Sequence, residues 1–254
     1  MAKKKQVSFT QKHTLDEKMK TLKKMSTHKD NLETVSKRKY LYRRLVFLSF
    51  LAGVIVLFAA LTLYVKQNPQ IGIDLEITKE VQEFHPVWFS SLMQFITFIG
   101  NNYNAAILTI LVTGFIWYKK RPKEALFLLM STIGGTLLSI TVKNLIHRPR
   151  PDPVLINQVG KFLHNDSFPS GHTLFYVSFF GFLLYLTYAL PKENKLRTFF
   201  LILFPFLILC VGPSRIFLGA HWFSDVLGAY LLGFIWLSCI TFIYHRWVSK
   251  EKTV

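Results

Sequence analysis

The chain has 254 residues, a mean hydropathy of +0.30, 51% hydrophobic residues and 24 phenylalanines. That composition excludes an ordinary soluble domain and fits a polytopic membrane protein. The formal net charge of +17 is uneven, because residues 1–44 hold 14 Lys/Arg against 4 Asp/Glu.

Beside a membrane span, a basic tail of this kind reads as an attraction to anionic lipid headgroups and a topology signal, not as a nucleic-acid arm. Within residues 1–40, Leu15, Met19, Leu22 and Met25 recur at helical spacing among lysines. The pattern fits either a basic amphipathic helix on a bilayer or a disordered segment. The chain therefore divides into a tail, 1–44, and a membrane domain, 45–254. Residues 45–65 carry no charge, follow Arg43-Arg44 and precede Lys66. They predict a first spanning helix that stays as an anchor and is not a cleaved signal. Residues 67–99 are mixed: Asp74, Glu76, Glu80 and Glu83 make a polar part, and 88–99 is apolar behind Pro86. That apolar part predicts an interfacial or short re-entrant helix.

Further spans are predicted over 104–118, 125–142, 172–190, 198–211 and 225–244. The basic turn 119–123, the polar loop 143–169 and the charged link 191–197 lie between them. The expected fold is all-α, a bundle of six transmembrane helices. Cys210 and Cys239 lie inside apolar runs and give neither a disulfide framework nor a metal spacing. Six spans place both termini and the Lys/Arg-rich segments on one side, the cytoplasm by the positive-inside rule. Segments 66–103, 143–171 and 212–224 face the other side of the cytoplasmic membrane. No internal repeat is visible, which weighs against many transporter folds.

Two of those outer segments collect the residues that can do chemistry. Lys143, Arg150 and Arg215 sit at the boundaries of three apolar runs, where unpaired charge is costly. Guanidinium forks match phosphate oxygens and a lysine adds a point charge, so the three suit a phosphoryl group held during transfer. Pro169-Ser170-Gly171-His172 opens a predicted helix. Ser170 can cap it, and Gly171 lets an anion approach the free N–H groups. His221 and Asp225 are four apart, so on a helix they share a face and the carboxylate can fix the imidazole tautomer. One neutral histidine could attack phosphorus while the other, protonated, serves the leaving oxygen. Spacing alone does not say which. His172, His221 and Asp225 could also ligate a metal, but three neighbouring cations would repel a divalent ion. Asp152, Asn165 and Asp166 read as polar loop groups, and His147 and His164 receive no role.

These motifs resemble the signature of the type 2 phosphatidic acid phosphatase superfamily, the integral-membrane lipid phosphate phosphatases. Lys143…Arg150-Pro151, Pro169-Ser170-Gly171-His172 and Ser214-Arg215…His221…Asp225 match its three parts in order and spacing, with no departure. The motifs cover 143–225, and the six-span layout extends the similarity to roughly 45–245. The resemblance implies that His221 is the nucleophile of a phosphohistidine, Asp225 orients it, and His172 protonates the leaving group. It implies that Lys143, Arg150, Ser170, Gly171 and Arg215 bind the phosphoryl oxygens, and that no metal or other cofactor is needed. Members of the superfamily act on phosphatidic acid, phosphatidylglycerophosphate, diacylglycerol pyrophosphate and polyprenyl diphosphates. The expected substrate is a lipid phosphate or diphosphate, with undecaprenyl pyrophosphate first because the build resembles bacterial members. A phosphotransferase using the same phosphohistidine and a non-catalytic lipid carrier are the competing readings. Six apolar spans speak against the soluble haloperoxidases that share the anion site.

Overall fold

A computed structural model describes residues 2–159, 166–189 and 194–251. His164, Asn165, part of the 191–197 link and the last three residues lie outside them. The described residues form eight helices: α1 (Ala2–Gln67), α2 (Gly72–Glu83), α3 (Val87–Ile99), α4 (Asn102–Tyr118), α5 (Pro122–Ile146), α6 (Gly171–Ala189), α7 (Lys195–Phe217) and α8 (Phe223–Glu251). Only an isolated β-bridge between Pro149 and Asp166 departs from helix and loop among them. The chain forms two compact units, one ending at Gly53 and one beginning at Val54. The first is helical throughout its described residues; Met19 and Met25 are exposed there, and the side chains of Leu15 and Leu22 are not described.

Among the described residues, five helical stretches are long and apolar enough to cross a membrane: Arg38–Gln67, Pro122–Ile146, Gly171–Ala189, Lys195–Phe217 and Phe223–Val248. Val87–Ile99 and Asn102–Tyr118 meet that test only as a pair bent by 61°. The predicted short helix after Pro86 and the predicted span 104–118 thus form a bent pair, the geometry of a broken span or of a re-entrant loop. Ile99 is followed by Gly100-Asn101, which interrupts the helix there.

α6 packs against α5, α7 and α8, and Thr173 through Phe182 are buried in succession. Without water, helices associate by close packing across small residues. A Cβ on Gly135 would come within 2.2 Å of Ser178 Oγ, so this glycine lets α5 and α6 approach. Around that contact Phe175 stacks on Phe179 at 5.4 Å, and Phe180 meets Phe204 of α7 at 5.8 Å.

α7 runs six residues beyond the predicted limit of 211, so Ser214 and Arg215 lie on its last turns and not in a loop. Pro205 and Pro213 lie inside the helix. Pro213 cannot donate to the carbonyl of Leu209, a loss that usually breaks a helix. Tyr230 of α8 compensates: its hydroxyl lies 3.3 Å from Leu209 O and 2.6 Å from Ile208 O, and accepts from Gly212 N at 3.2 Å. A partner helix that satisfies freed backbone groups makes an intramembrane proline tolerable.

Candidate active site

The site is built where α5 and α7 end and α6 and α8 begin. α5 closes with His147 in the left-handed region (φ 52°), its N–H bonded to Lys143 O. That reversal carries Arg148 and Arg150 back beneath the helix end, where Ser167 N donates to Arg148 O at 2.7 Å. Lys143 Nζ donates to Asp166 O at 2.8 Å and Ser167 O at 3.0 Å, pinning the strand-like segment that leads into α6. Ser170 is fully buried, and its Oγ accepts from Thr173 Oγ1 at 3.0 Å and Thr173 N at 3.4 Å, as a helix cap does. Its own N–H donates to Asp225 O at 3.1 Å, so the starts of α6 and α8 are joined directly.

His221 lies in the turn before α8, not on it. The shared helix face expected from the four-residue spacing is therefore replaced by another contact. Asp225 sits in the first turn of α8 and folds back, its Oδ2 accepting from Trp222 N at 2.9 Å. This is the reach-back half of a capping box. The same oxygen accepts from Ser167 Oγ in a short hydrogen bond, and it lies 3.5 Å from His221 Nδ1. Ser167 Oγ is also 3.2 Å from that Nδ1. With the hydroxyl proton given to the carboxylate, Ser167 Oγ is an acceptor toward the imidazole. The pattern assigns the ring proton to Nδ1 and leaves Nε2 as the lone-pair nitrogen. Gly219 makes the preceding turn possible: its φ is +64°, and a Cβ there would lie 2.5 Å from Asn157 O.

Nε2 of His221 points toward the cations. Arg150 Nη1 lies 3.4 Å from it and donates to Ala220 O at 2.6 Å. Burial holds the His221 imidazole well below its usual range, reinforced by the charges of Arg150, Lys143 and Arg215. A buried ring of this kind stays neutral, and so remains a nucleophile, at physiological pH. Burial likewise lowers Arg150 from its usual value, with Asp225 and Asp166 opposing. Arg215 is almost sealed from solvent. It donates to Thr97 Oγ1 at 3.2 Å, while its Nε has no hydrogen-bond partner among the described residues. Buried donors left unmatched are costly, so this one is available to a ligand that enters the site.

His172 follows Gly171 on the first turn of α6, and its Nε2 is 3.2 Å from Asn101 Oδ1 at the α3–α4 bend. A Cβ on Gly100 would lie 2.8 Å from the His172 ring, so the bend presses closely on this histidine. Lys143, Arg150, Arg215 and His221 all lie near enough to act electrostatically on His172. The eight residues singled out from sequence thus occupy one region. Among the described residues, no group of three or more His, Cys, Asp or Glu side chains could hold a metal ion.

Sequence reasoning passed over several neighbours: Ser167 between His221 and Asp225, Asn101 against His172, Thr97 against Arg215, and Arg148 with Asp74 behind Asp225. Arg148 lies inside the spacer between Lys143 and Arg150, so its charge was in plain view beside a motif. Asp74 carries no such signal.

Comparison with known proteins bears on the family and the fold. The profile of the PAP2 superfamily matches residues 124–250. Phosphatidylglycerophosphatase B of Bacillus subtilis (strain 168) is 29% identical over 187 residues, which are 72% of this chain and 89% of that protein. The crystal structure described as the first transmembrane PAP2 type phosphatidylglycerolphosphate phosphatase from Bacillus subtilis is similar with a TM-score of 0.67. It is 25% identical and covers 77% of this chain and 96% of its own. The crystal structure of Aquifex aeolicus LpxE shares the fold at a TM-score of 0.50 and 24% identity, over 68% of this chain and 96% of its own.

Proposed function

The chain belongs to the PAP2 superfamily, and from that premise we propose that it is a membrane lipid phosphatase working through a phosphohistidine at His221. The observation that carries this reading is the buried His221 imidazole, with Nδ1 backed by Ser167 and Asp225 and Nε2 turned toward Arg150. Lys143, Arg150 and Arg215 hold the non-bridging phosphoryl oxygens, helped by Ser170 and Gly171 at the start of α6. Nε2 of His221 bonds to phosphorus as the bond from phosphorus to the leaving oxygen breaks. His172 gives its proton to that oxygen. Water then attacks the phosphorus of the phosphohistidine and passes a proton to His172. The N–P bond breaks and returns neutral His221. Asp225 balances the charge that develops on the imidazole during attack.

The cations perform the charge stabilisation that a metal would otherwise supply, so the reaction runs without one. The relatives' names make phosphatidylglycerophosphate the first substrate to test, and undecaprenyl pyrophosphate the second. The excess of Lys/Arg in the tail and in the 119–123 turn orients the protein with its termini in the cytoplasm and this site at the outer face of the cytoplasmic membrane. The basic tail then rests on anionic lipid.

The test is phosphate release by the purified full-length protein from a panel of lipid phosphates and diphosphates in water labelled with oxygen-18. The expected result is labelled phosphate from at least one lipid and none from His221→Ala. Unchanged release by His221→Ala overturns the reading. Unlabelled phosphoryl appearing on an added alcohol instead identifies a phosphotransferase, and a His221→Ala protein that still moves lipid identifies a carrier.

A further inference from the structure

Behind Asp225, on the side away from His221, the structure closes a ring of buried polar groups. Arg148 Nη1 donates to Asp225 Oδ1 at 2.6 Å and lies 2.7 Å from Ser224 Oγ. Arg148 Nη2 donates to Asp74 Oδ2 at 2.7 Å, and Nε donates to Pro69 O at 3.0 Å. Asp74 completes the ring by accepting from Ser224 N at 2.9 Å and Ser224 Oγ at 2.5 Å. All three charged side chains are 0–1% exposed. Of the acidic residues in α2, only Asp74 is buried; Glu76, Glu80 and Glu83 are exposed.

We infer that Arg148 and Asp74 are positioning residues for the phosphoryl transfer, a carboxylate–guanidinium–carboxylate bridge that fixes the Asp225 carboxylate toward Ser167 and His221. The inference rests on the reading of His221 and Asp225 given above. The two oxygens of Asp225 have separate duties. Oδ2 serves the imidazole side through Ser167, Trp222 N and His221 Nδ1, while Oδ1 is held by Arg148. Without Arg148 the carboxylate could turn about its terminal torsion, which is broad and soft. It would also stand buried without its counter-charge, a costly state. A planar fork prevents both, and the fork is itself held in plane by Asp74 and Pro69 O. α2, which carries none of the phosphate-facing groups, thereby becomes part of the catalytic apparatus at one residue removed.

The mere alternative is a tether that anchors α2. The two roles separate in kinetics, because a positioning residue acts through Asp225 and a tether does not. The experiment compares Arg148→Met, Asp74→Asn, Asp225→Asn and the double variants in the full-length protein, measuring kcat and KM with a lipid phosphate and inhibition by inorganic phosphate. Arg148→Met is expected to lower kcat about 10- to 100-fold, with KM and the phosphate inhibition constant within about threefold of wild type. Asp74→Asn should do the same more mildly, about 3- to 10-fold. On an Asp225→Asn background either change should add less than about twofold, since residues acting as a unit are not additive. Full additivity with Asp225→Asn, or an unchanged kcat in Arg148→Met, overturns the inference. Should Arg148→Met fail to accumulate in membranes, Asp74→Asn carries the same cycle with the same criteria. If Asp225→Asn itself turns over at the wild-type rate, the phosphohistidine reading fails first, and the cycle shows which of the two is wrong.

Discussion

Arg148 and Arg215 are both nearly sealed from solvent, 1% and 4% exposed, yet the molecule uses them in opposite ways. Arg148 spends its donors on two carboxylates, a hydroxyl and a carbonyl. Arg215 makes one bond to Thr97 and leaves Nε unmatched among the described residues. Arg148 belongs to a saturated layer whose geometry is finished; Arg215 keeps one buried donor that the proposed phosphoryl group would take up. A satisfied guanidinium builds a wall and an unsatisfied one builds a pocket. Fractional burial does not tell them apart, but the hydrogen bonds do.

The largest effect that could break this contrast comes from the pocket itself. His221→Ala should lower phosphate release by about 10^4-fold or more, as loss of a covalent nucleophile does elsewhere. Substantial turnover by that variant would show that the pocket only binds. Next comes Arg215→Lys. A point charge cannot replace two parallel donors, so a loss of about 10^2- to 10^3-fold in kcat/KM is expected. Wild-type rates would mean that the unmatched Nε faces nothing. Arg148→Met should lie below both, as set out above.

The pH profile sharpens the same contrast. His221 is held well below its ordinary value near 6.5 by burial first and then by Arg150, Lys143 and Arg215. Its neutral form therefore persists as pH falls past 6.5, and the acid limb of kcat/KM should lie below that pH. The sign for stability is the same. Between its depressed folded value and 6.5 the unfolded chain binds a proton that the folded chain does not, so stability declines as pH drops below 6.5. An acid limb centred above 6.5 would contradict the environment described for His221. A chelator should leave turnover intact; full loss restored by one divalent ion would contradict the role given to the cations. The smallest effect is expected in the membrane interior. Tyr230→Phe removes the hydroxyl that serves Ile208, Leu209 and Gly212, and should cost about 1 kcal/mol of stability with little change in kcat.

The same contrast explains what could be read from sequence. The pocket layer is legible because charge at the boundary of an apolar run is rare and expensive, and Lys143, Arg150 and Arg215 mark such boundaries, with His172 and His221 in the motifs beside them. The saturated layer is not. Asp74 looks like Glu76, Glu80 and Glu83 in a polar stretch, and only the folded chain brings it against Arg148 and Ser224, some 74 and 150 residues away. Ser167 is one serine in a loop until it meets Asp225. Two of the differences between the spans placed from hydropathy and the helices can be followed to particular residues. α7 outruns its apolar run because Tyr230 repairs the break at Pro213. The 104–118 span is half of a bent pair because Gly100-Asn101 interrupts it against His172. The four-residue spacing of His221 and Asp225 found a true partner for an incomplete reason. The two meet by a reach-back at the helix start and not along a helix face.

The central claim is a covalent phosphohistidine, and the stereochemistry at phosphorus tests it most directly. A lipid thiophosphate made chiral at phosphorus with two oxygen isotopes would be hydrolysed by the wild-type protein in water of the third isotope, and the configuration of the released inorganic thiophosphate determined. Two successive in-line displacements, at His221 and then at water, predict retention. Inversion would mean a single direct attack by water and would contradict the account.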